Sequence, residues 1–389
     1  MSEHKVQKTF REINEKIKKG TVVVVNAEEM IDIVEEKGAV KAAEEIDVVT
    51  TGTFGAMCSS GAILNVGHTT PKMKISRAKL NGVPAYCGLA AVDLYIGASE
   101  LPDEDPRNTV YPGDFRYGGA HVIHDLLMGK PVMMEAWAYG TDCYPRKYIK
   151  KELLLNELRN AILFNPRNAY QNYNCAVNSG RRTIYTYMGI LKPQFGNATY
   201  STAGQISPLM NDPFFKTIGV GTRIFLGGTQ GYIVYYGTQH TADVSRMPNG
   251  VPVEGSGTVC VMGDLKKMDP RWIVPASFQG YGVSMYVGIG VPIPILNEEM
   301  ARFTGVTDAD IVAPIVDYGS DYPQGINRSL GTVTYKDLKE GLITVNGKQV
   351  PATPMASYPK ALEISNILKE EIQKGRFYIG EPQATLSQL

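Results

Sequence analysis

The chain has 389 residues, and its 39 Lys and Arg balance 39 Asp and Glu, so it lacks the basic excess of a general nucleic-acid binder. With 43% hydrophobic and 20% charged residues its composition is that of an ordinary globular protein, and no apolar run approaches the length that spans a bilayer. The polar N-terminus has no apolar core of a secretory signal. Five widely spaced cysteines without a CxxC argue against a disulfide framework, a zinc ribbon or a cysteine-ligated cluster. Free thiols make the cytoplasm the default compartment.

In chain order, "TFREINEKIKKG" has helical periodicity ending at Gly20, and "TVVVV" (21–25) reads as a short buried strand. Asn26 followed by Glu29 is a capping box that opens a helix. That helix is expected to stop near Gly38, with a second over "VKAAEEI", and "DVVTTGT" (47–53) is a strand entering a loop. "GGAHVIHDLLMGK" (118–130) reads as a helix closed by Gly129, and "PVMMEAWAYG" (131–140) as a strand. The leucine spacing of "KELLLNELRNAI" (151–162) predicts a helix. The middle turns β-rich: "RIFLGGTQGYIVYYGTQH" (223–240) and "VEGSGTVCVMGDL" alternate apolar runs with glycine turns. "GLITVNGKQVPA" predicts a hairpin, since Asn346-Gly347 suits a type I′ turn. A last helix starts with Pro359 in its first turn and ends before Gly375. The pattern is α/β, with mixed α+β as the variant, in one large unit with a β-rich middle.

The thiols carry the first chemical candidates. In "YGTDCYPRKYIKK" Cys143 precedes Arg146, Lys147, Lys150 and Lys151, and nearby cations favour the nucleophilic thiolate. The same stretch also reads as a small apolar residue before a solvated basic face. Cys58, in "GAMCSSG", sits among small residues whose N–H groups can cradle an anion, or that simply form a turn. Cys87 and Cys260 lie in apolar runs and read as core thiols, with Cys175 in reserve.

Among other polar groups, His68 and His240 follow glycine-rich loops and can serve as acid or base. Arg181 and Arg182, with Arg146, Arg77 and Arg116 as rivals, can hold a carboxylate bidentately. His121 and His124 have a spacing that a metal could use, although a capped amphipathic helix explains it as well. The GxG fragments lack a full GxGxxG and no Walker lysine motif occurs, so nucleotide binding is unsupported.

Taken together, "TGTFGAMCSSGAILNVGHTTP", "PGDFRYGGAHVIHDLLMGKPV", "AYGTDCYPRK" and "GVGTRIFLGGTQGYIVYYGTQH" resemble, in matching order, the homocysteine biosynthesis family, the aspartate semialdehyde sulfurtransferases of methanogens and other anaerobes. The likeness runs from about residue 15 to 375, and implies a single catalytic unit over 1–389. Longer members add a C-terminal CBS pair, which is not expected within these residues. The resemblance places the sulfur chemistry on Cys58 and Cys143. It implies L-aspartate 4-semialdehyde and sulfide as substrates, no tightly bound cofactor, and a small ferredoxin-type iron–sulfur protein as electron donor. A scheme consistent with it has Cys143 holding a persulfide that attacks the aldehyde, and Cys58 resolving it or holding sulfur in an intermediate by thiol exchange; sequence does not assign which thiol does which job. A direct disulfide between them would need Cα atoms within about 7 Å. The expected substrate ligands are Arg146, Arg181, Arg182, His68 and His240, with no metal. A homo-oligomer is an open expectation, and neither nucleic acid nor membrane is an expected partner. Two other classes stay open on the residues alone: a thiol-bearing metabolite-binding protein without catalysis, and a His-dependent metalloenzyme.

Overall fold

The computed structural model describes residues 5–241, 243–320 and 328–388. Local signals set the helices. Helix α1 (Phe10–Lys19) starts at Thr9, whose side chain and that of Glu12 form a capping box, and buries Phe10, Ile13 and Ile17 on one face. Helix α2 (Ala27–Glu45) has the Asn26–Glu29 box, and is broken at Gly38, where φ is 76°. Helix α3 (Gly119–Leu127) and helix α4 (Tyr358–Gln373) also match their expected spans. The strands Leu342–Val345 and Lys348–Pro354 form the expected hairpin, with Asn346 and Gly347 at φ 49° and 78°.

The expected helix over 151–162 does not form. Tyr148–Leu153 is a strand paired with Val132–Trp137, Leu155–Glu157 is a single 3-10 turn, and a new strand starts at Asn160. Leu153, Leu155 and Leu158 are buried around this corner. Their spacing matches a helix face, but they pack as the inward residues of a strand and a turn; tertiary burial overrides the local pattern.

The centre is a nine-stranded sheet. Its strands are β1 (Thr53–Ala56), β2 (Gly61–Asn65), β3 (Asp93–Gly97), β4 (Asn160–Asn168), β5 (Arg223–Leu226), β6 (Thr229–Tyr236), β7 (Val259–Asp264), β8 (Ile273–Phe278) and β9 (Gly282–Gly290). The order is β8-β9-β5-β6-β7-β4-β2-β3, and β1 pairs with β9. Ile289 of β9 pairs with Thr53 of β1 and with Leu226 of β5, so β1 lies on the edge of β9 opposite β5. The run from β1 through β9 to β2 is therefore closed by the chain itself, because only Met57–Ser60 separate β1 from β2. Bridged by four residues, the two strand ends stand at most about 18 Å apart. The sheet must curl until its two ends nearly meet, and Cys58 sits in the link between them.

Smaller sheets surround this one. A four-stranded sheet carries the 138–147 hairpin, a six-stranded sheet holds Cys175–Val177, and a three-stranded sheet joins Val24–Asn26, Val48–Thr50 and Pro292–Pro294. The main core lies between the central sheet and helices α2 and α3, while α1 and α4 cover a second core around Trp272. At Gly52 a Cβ would run into the Ala361 carbonyl oxygen of α4, so the chain entering β1 passes against that helix only as glycine. Among the described residues no helix is long and apolar enough to cross a membrane.

Candidate active site

Cys58 and Ser59 form a tight turn. The Ser60 N–H (3.2 Å) and hydroxyl (2.9 Å) both donate to the Met57 carbonyl, and the Met57 N–H donates to Met285 O at 2.9 Å. The turn is stapled to β4. The Ser59 hydroxyl donates to the Arg167 carbonyl (2.8 Å) and to Asn165 Oδ1 (3.3 Å), and Asn165 Nδ2 donates to Ser60 Oγ at 2.8 Å. The β4–β7 register shifts between Asn165 and Asn168. A bulge of this kind re-aims side chains, and here Arg167 faces the same cavity as Cys58.

That cavity, of about 270 Å³, is lined by Cys58, Arg167, Tyr170, Tyr173, Tyr187 and Tyr281 together with Gln239, Ser201, Ser284 and apolar side chains. Among the described residues Arg167 is its only charged lining side chain. Burial, then the charge of the nearby Cys58 thiol, push the Tyr281 hydroxyl pKa up. Tyr281 therefore stays a protonated donor across the physiological range. Tyr170 donates to Gln239 Oε1 at 2.7 Å, Tyr173 to Tyr187 at 2.9 Å, and the Tyr187 and Tyr318 hydroxyls share a 2.8 Å bond. The Tyr170 and Tyr173 rings lie 5.0 Å apart. Burial raises Tyr170, Tyr173 and Tyr318 as well. The wall is thus aromatic and hydroxyl-rich, with acids too weak to ionise.

Cys58 also lines a second, more open groove on its other side, with Ser59, Ser60, Tyr86, Tyr95, Ser99 and Glu100. The Tyr86 hydroxyl donates to Glu100 at 2.6 Å in this groove. A thiol in a wall between two openings can be reached from both.

Cys143 lies elsewhere. It is exposed, on a turn closed by reciprocal Thr141–Tyr144 backbone bonds of 3.0 Å. Arg146 holds the turn down: its N–H donates to Lys72 O (3.1 Å) and its guanidinium to Thr70 O (2.6 Å) and Pro71 O (3.2 Å). The Tyr144 ring stacks on His68 at 6.4 Å. Residues 68–72 follow the last residue of β2, whereas Cys58 precedes its first. Five residues of strand separate the two ends by about 13 Å. The Cys143 turn thus packs against the segment that leaves β2, whereas Cys58 lies in the turn that enters it.

None of the five expected substrate ligands lines the Cys58 cavity. Arg146 and His68 belong to the Cys143 turn. Arg181 and Arg182 are exposed beyond the strand Cys175–Val177. His240 is half-buried, its Nδ1 2.9 Å from Thr258 O and 3.0 Å from Thr258 N, and burial lowers its pKa. Its neighbour Gln239 lines the cavity instead. Cys175 is fully buried and its thiol is pushed up to about 12, which removes it as a reserve nucleophile. Burial likewise raises Cys260 to about 11, and raises Cys87. His124 Nδ1 lies 2.8 Å from Ile273 O, and the His121 ring stacks on Tyr117. Among the described residues no group of three or more His, Cys, Asp or Glu could hold a metal ion.

Sequence reading missed Arg167, Tyr281 and the other tyrosines. The available signal was "NPRNAYQNYN" (165–174), a run dense in amides at the end of a strand. Asn165, Gln171 and Asn172 there are 0% exposed. Buried amides of this density mark a hydrogen-bonded scaffold rather than a surface loop.

Comparison with known proteins agrees with these motifs. Residues 22–379 match the family described as "Homocysteine biosynthesis enzyme, sulfur-incorporation". The chain is 50% identical over 384 residues to the L-aspartate semialdehyde sulfurtransferase of Methanosarcina acetivorans, covering 98% of this chain and 72% of that protein. It is also 50% identical over 394 residues to the protein of the same name from Methanocaldococcus jannaschii, covering 98% of this chain and 74% of that one. No solved structure matches it.

Proposed function

Because the chain belongs to the family of sulfur-incorporating homocysteine biosynthesis enzymes, we propose that it converts L-aspartate 4-semialdehyde and sulfide to L-homocysteine, with Cys58 as the sulfur carrier. The observation that carries this reading is the Cys58 thiol set into a partly enclosed, hydroxyl-lined cavity that Tyr281 and a cation, Arg167, also line. The reaction runs in the cytoplasm, with electrons from a small ferredoxin-type iron–sulfur protein.

The electron count constrains the path. Aldehyde, sulfide, two electrons and two protons give a thiol and water. Joining sulfide to the Cys58 thiol as a persulfide releases two electrons to the oxidised iron–sulfur partner. The terminal sulfur attacks the aldehyde carbon, and Tyr281 donates to the oxygen that gains charge. Two electrons then cleave the sulfur–sulfur bond, returning the Cys58 thiol, and the freed thiohemiacetal loses water. Two more electrons reduce the resulting thioaldehyde. Four electrons return for two released, which gives the net two. The open groove admits sulfide to Cys58 while the cavity holds the aldehyde.

Anaerobic incubation of the reduced protein with sulfide and a mild oxidant, followed by peptide mass measurement, tests the reading. A sulfur adduct on the Cys58 peptide, discharged by aspartate semialdehyde, is expected. Cys58→Ser should lose both adduct and product. Cys143→Ser should keep the Cys58 adduct formed from free sulfide. Full activity in Cys58→Ser would sink the assignment, whereas no adduct on the parent protein would favour the non-catalytic binding-protein alternative.

A further inference from the structure

We propose that Arg167 is the specificity-determining residue of the Cys58 cavity, binding the α-carboxylate of an amino-acid aldehyde while the tyrosine rings take its ammonium group. The inference rests on the sulfur-transfer reading and names what the site recognises. Four observations support it. Arg167 is the only charged side chain among the described residues lining the cavity, and no carboxylate lines it to repel an anion. Its guanidinium has no ion-pair partner among the described residues, although it faces a partly enclosed space. It is delivered there by the register shift in β4. Its own carbonyl accepts the Ser59 hydroxyl at 2.8 Å, so cation and thiol are set by one hydrogen-bonded unit.

The chemistry fits the space. A guanidinium matches a carboxylate with two parallel bonds, stronger than neutral ones. With no acid in the wall, an ammonium group finds the faces of Tyr170 and Tyr173, which lie 5.0 Å apart. Anchoring the carboxylate at Arg167 directs the other end of a four-carbon chain toward Cys58. Tyr170 and Tyr281 both feel the guanidinium, which lowers each of their pKa values against burial, so Arg167 is close to both.

Arg167→Met and Arg167→Lys test this, because the backbone bond to Ser59 survives either change. Three readouts are compared: sulfur loading of Cys58, steady-state kinetics, and equilibrium binding of L-homoserine, an unreactive amino acid of the same skeleton. Arg167→Met should load sulfur on Cys58 as the parent does. It should raise KM for aspartate semialdehyde about 100-fold, the loss of roughly 2.7 kcal/mol, with kcat changed less. Arg167→Lys should recover part of that loss. Propanal, an aldehyde without a carboxylate, should react equally slowly with parent and variant. Unchanged KM and homoserine affinity in Arg167→Met would overturn the proposal, as would an equal loss with propanal. If the parent binds homoserine and Arg167→Met does not, yet neither loads sulfur, the carboxylate assignment stands and the sulfur-carrier reading falls.

Discussion

At the level of single residues, the five thiols separate by environment more than by sequence context. Burial alone pushes Cys175 up to about 12 and Cys260 up to about 11, so at pH 8 their thiolate fractions are at most on the order of one in a thousand. Cys143 is exposed and Cys58 faces two openings. Iodoacetamide at pH 8 is therefore expected to label Cys143 first, then Cys58, and to spare Cys175 and Cys260. Raising the pH to 9 increases the thiolate of the buried pair tenfold, yet leaves them almost wholly protonated and sterically closed. Peptide mapping after a timed quench reads the order. Labelling of Cys175 in the folded protein would show that its strand opens far more readily than its burial implies. Cys260 was legible as a core thiol from the apolar run around it, whereas the residues beside Cys58 and Cys143 left both a reactive and a structural reading open. Cys175 was not, because the polar run before it suggests a surface loop, whereas Gln171 and Asn172 there face inward and are hydrogen-bonded.

At the level of elements, the Cys58 turn depends on the strand beside it. Asn165 is fully buried, and its one amide serves Ser60 Oγ at 2.8 Å, the Ser59 hydroxyl at 3.3 Å and the Arg167 N–H at 3.0 Å. Asn165→Ala leaves donors without acceptors in a closed site, at a cost of about 2 kcal/mol. Urea denaturation should show a lower midpoint at an unchanged slope. Sulfur transfer should fall by more than this instability explains, since thiol and guanidinium lose their common anchor; loss in proportion to stability alone would make Asn165 a fold residue only. Helix boundaries were readable because their determinants are local: the boxes at Thr9 and Asn26, and the breaks at Gly38 and Gly129. The cavity was not, because its walls come from β1, β4, β8, β9 and the segment around Tyr187. Periodicity identifies strands but not which of them meet. The 151–162 corner was misread for the same reason: leucines spaced for a helix are equally well buried by a strand that ends and turns.

For the molecule as a whole, the N-terminal segment is tied to the three-stranded sheet by one carboxylate. Asp47, with a side chain 1% exposed, accepts from Lys8 at 3.0 Å, Lys16 at 2.6 Å and the Val23 N–H at 3.0 Å. Burial pushes its pKa up, but the bonds from Lys16, Val23 and Lys8 outweigh this and hold it below the usual carboxylate range. Lys8 moves against the pair: burial pushes its ammonium down despite Asp47. The better-satisfied member is the carboxylate, so the linkage is argued from Asp47, with Lys16 discounted because it is 42% exposed and screened. A depressed folded pKa means stability that is fully present above the unfolded value, about 3.9, and lost as pH falls through the folded value. The free energy of unfolding should therefore drop below about pH 4, and Asp47→Asn should flatten that part of the profile. At neutral pH the same change leaves Lys8 half-buried without its counter-charge, at a cost of about 3 kcal/mol. Because α1 packs with α4 over the Trp272 core, and α4 lies against β1, loosening this tie reaches the strand that leads into Cys58. Asp47→Asn should accordingly speed alkylation of Cys58 while leaving Cys143 unchanged. Equal rates for Cys58 in parent and variant would show that the Cys58 turn is held by its β4 staple alone, independent of the N-terminal layer.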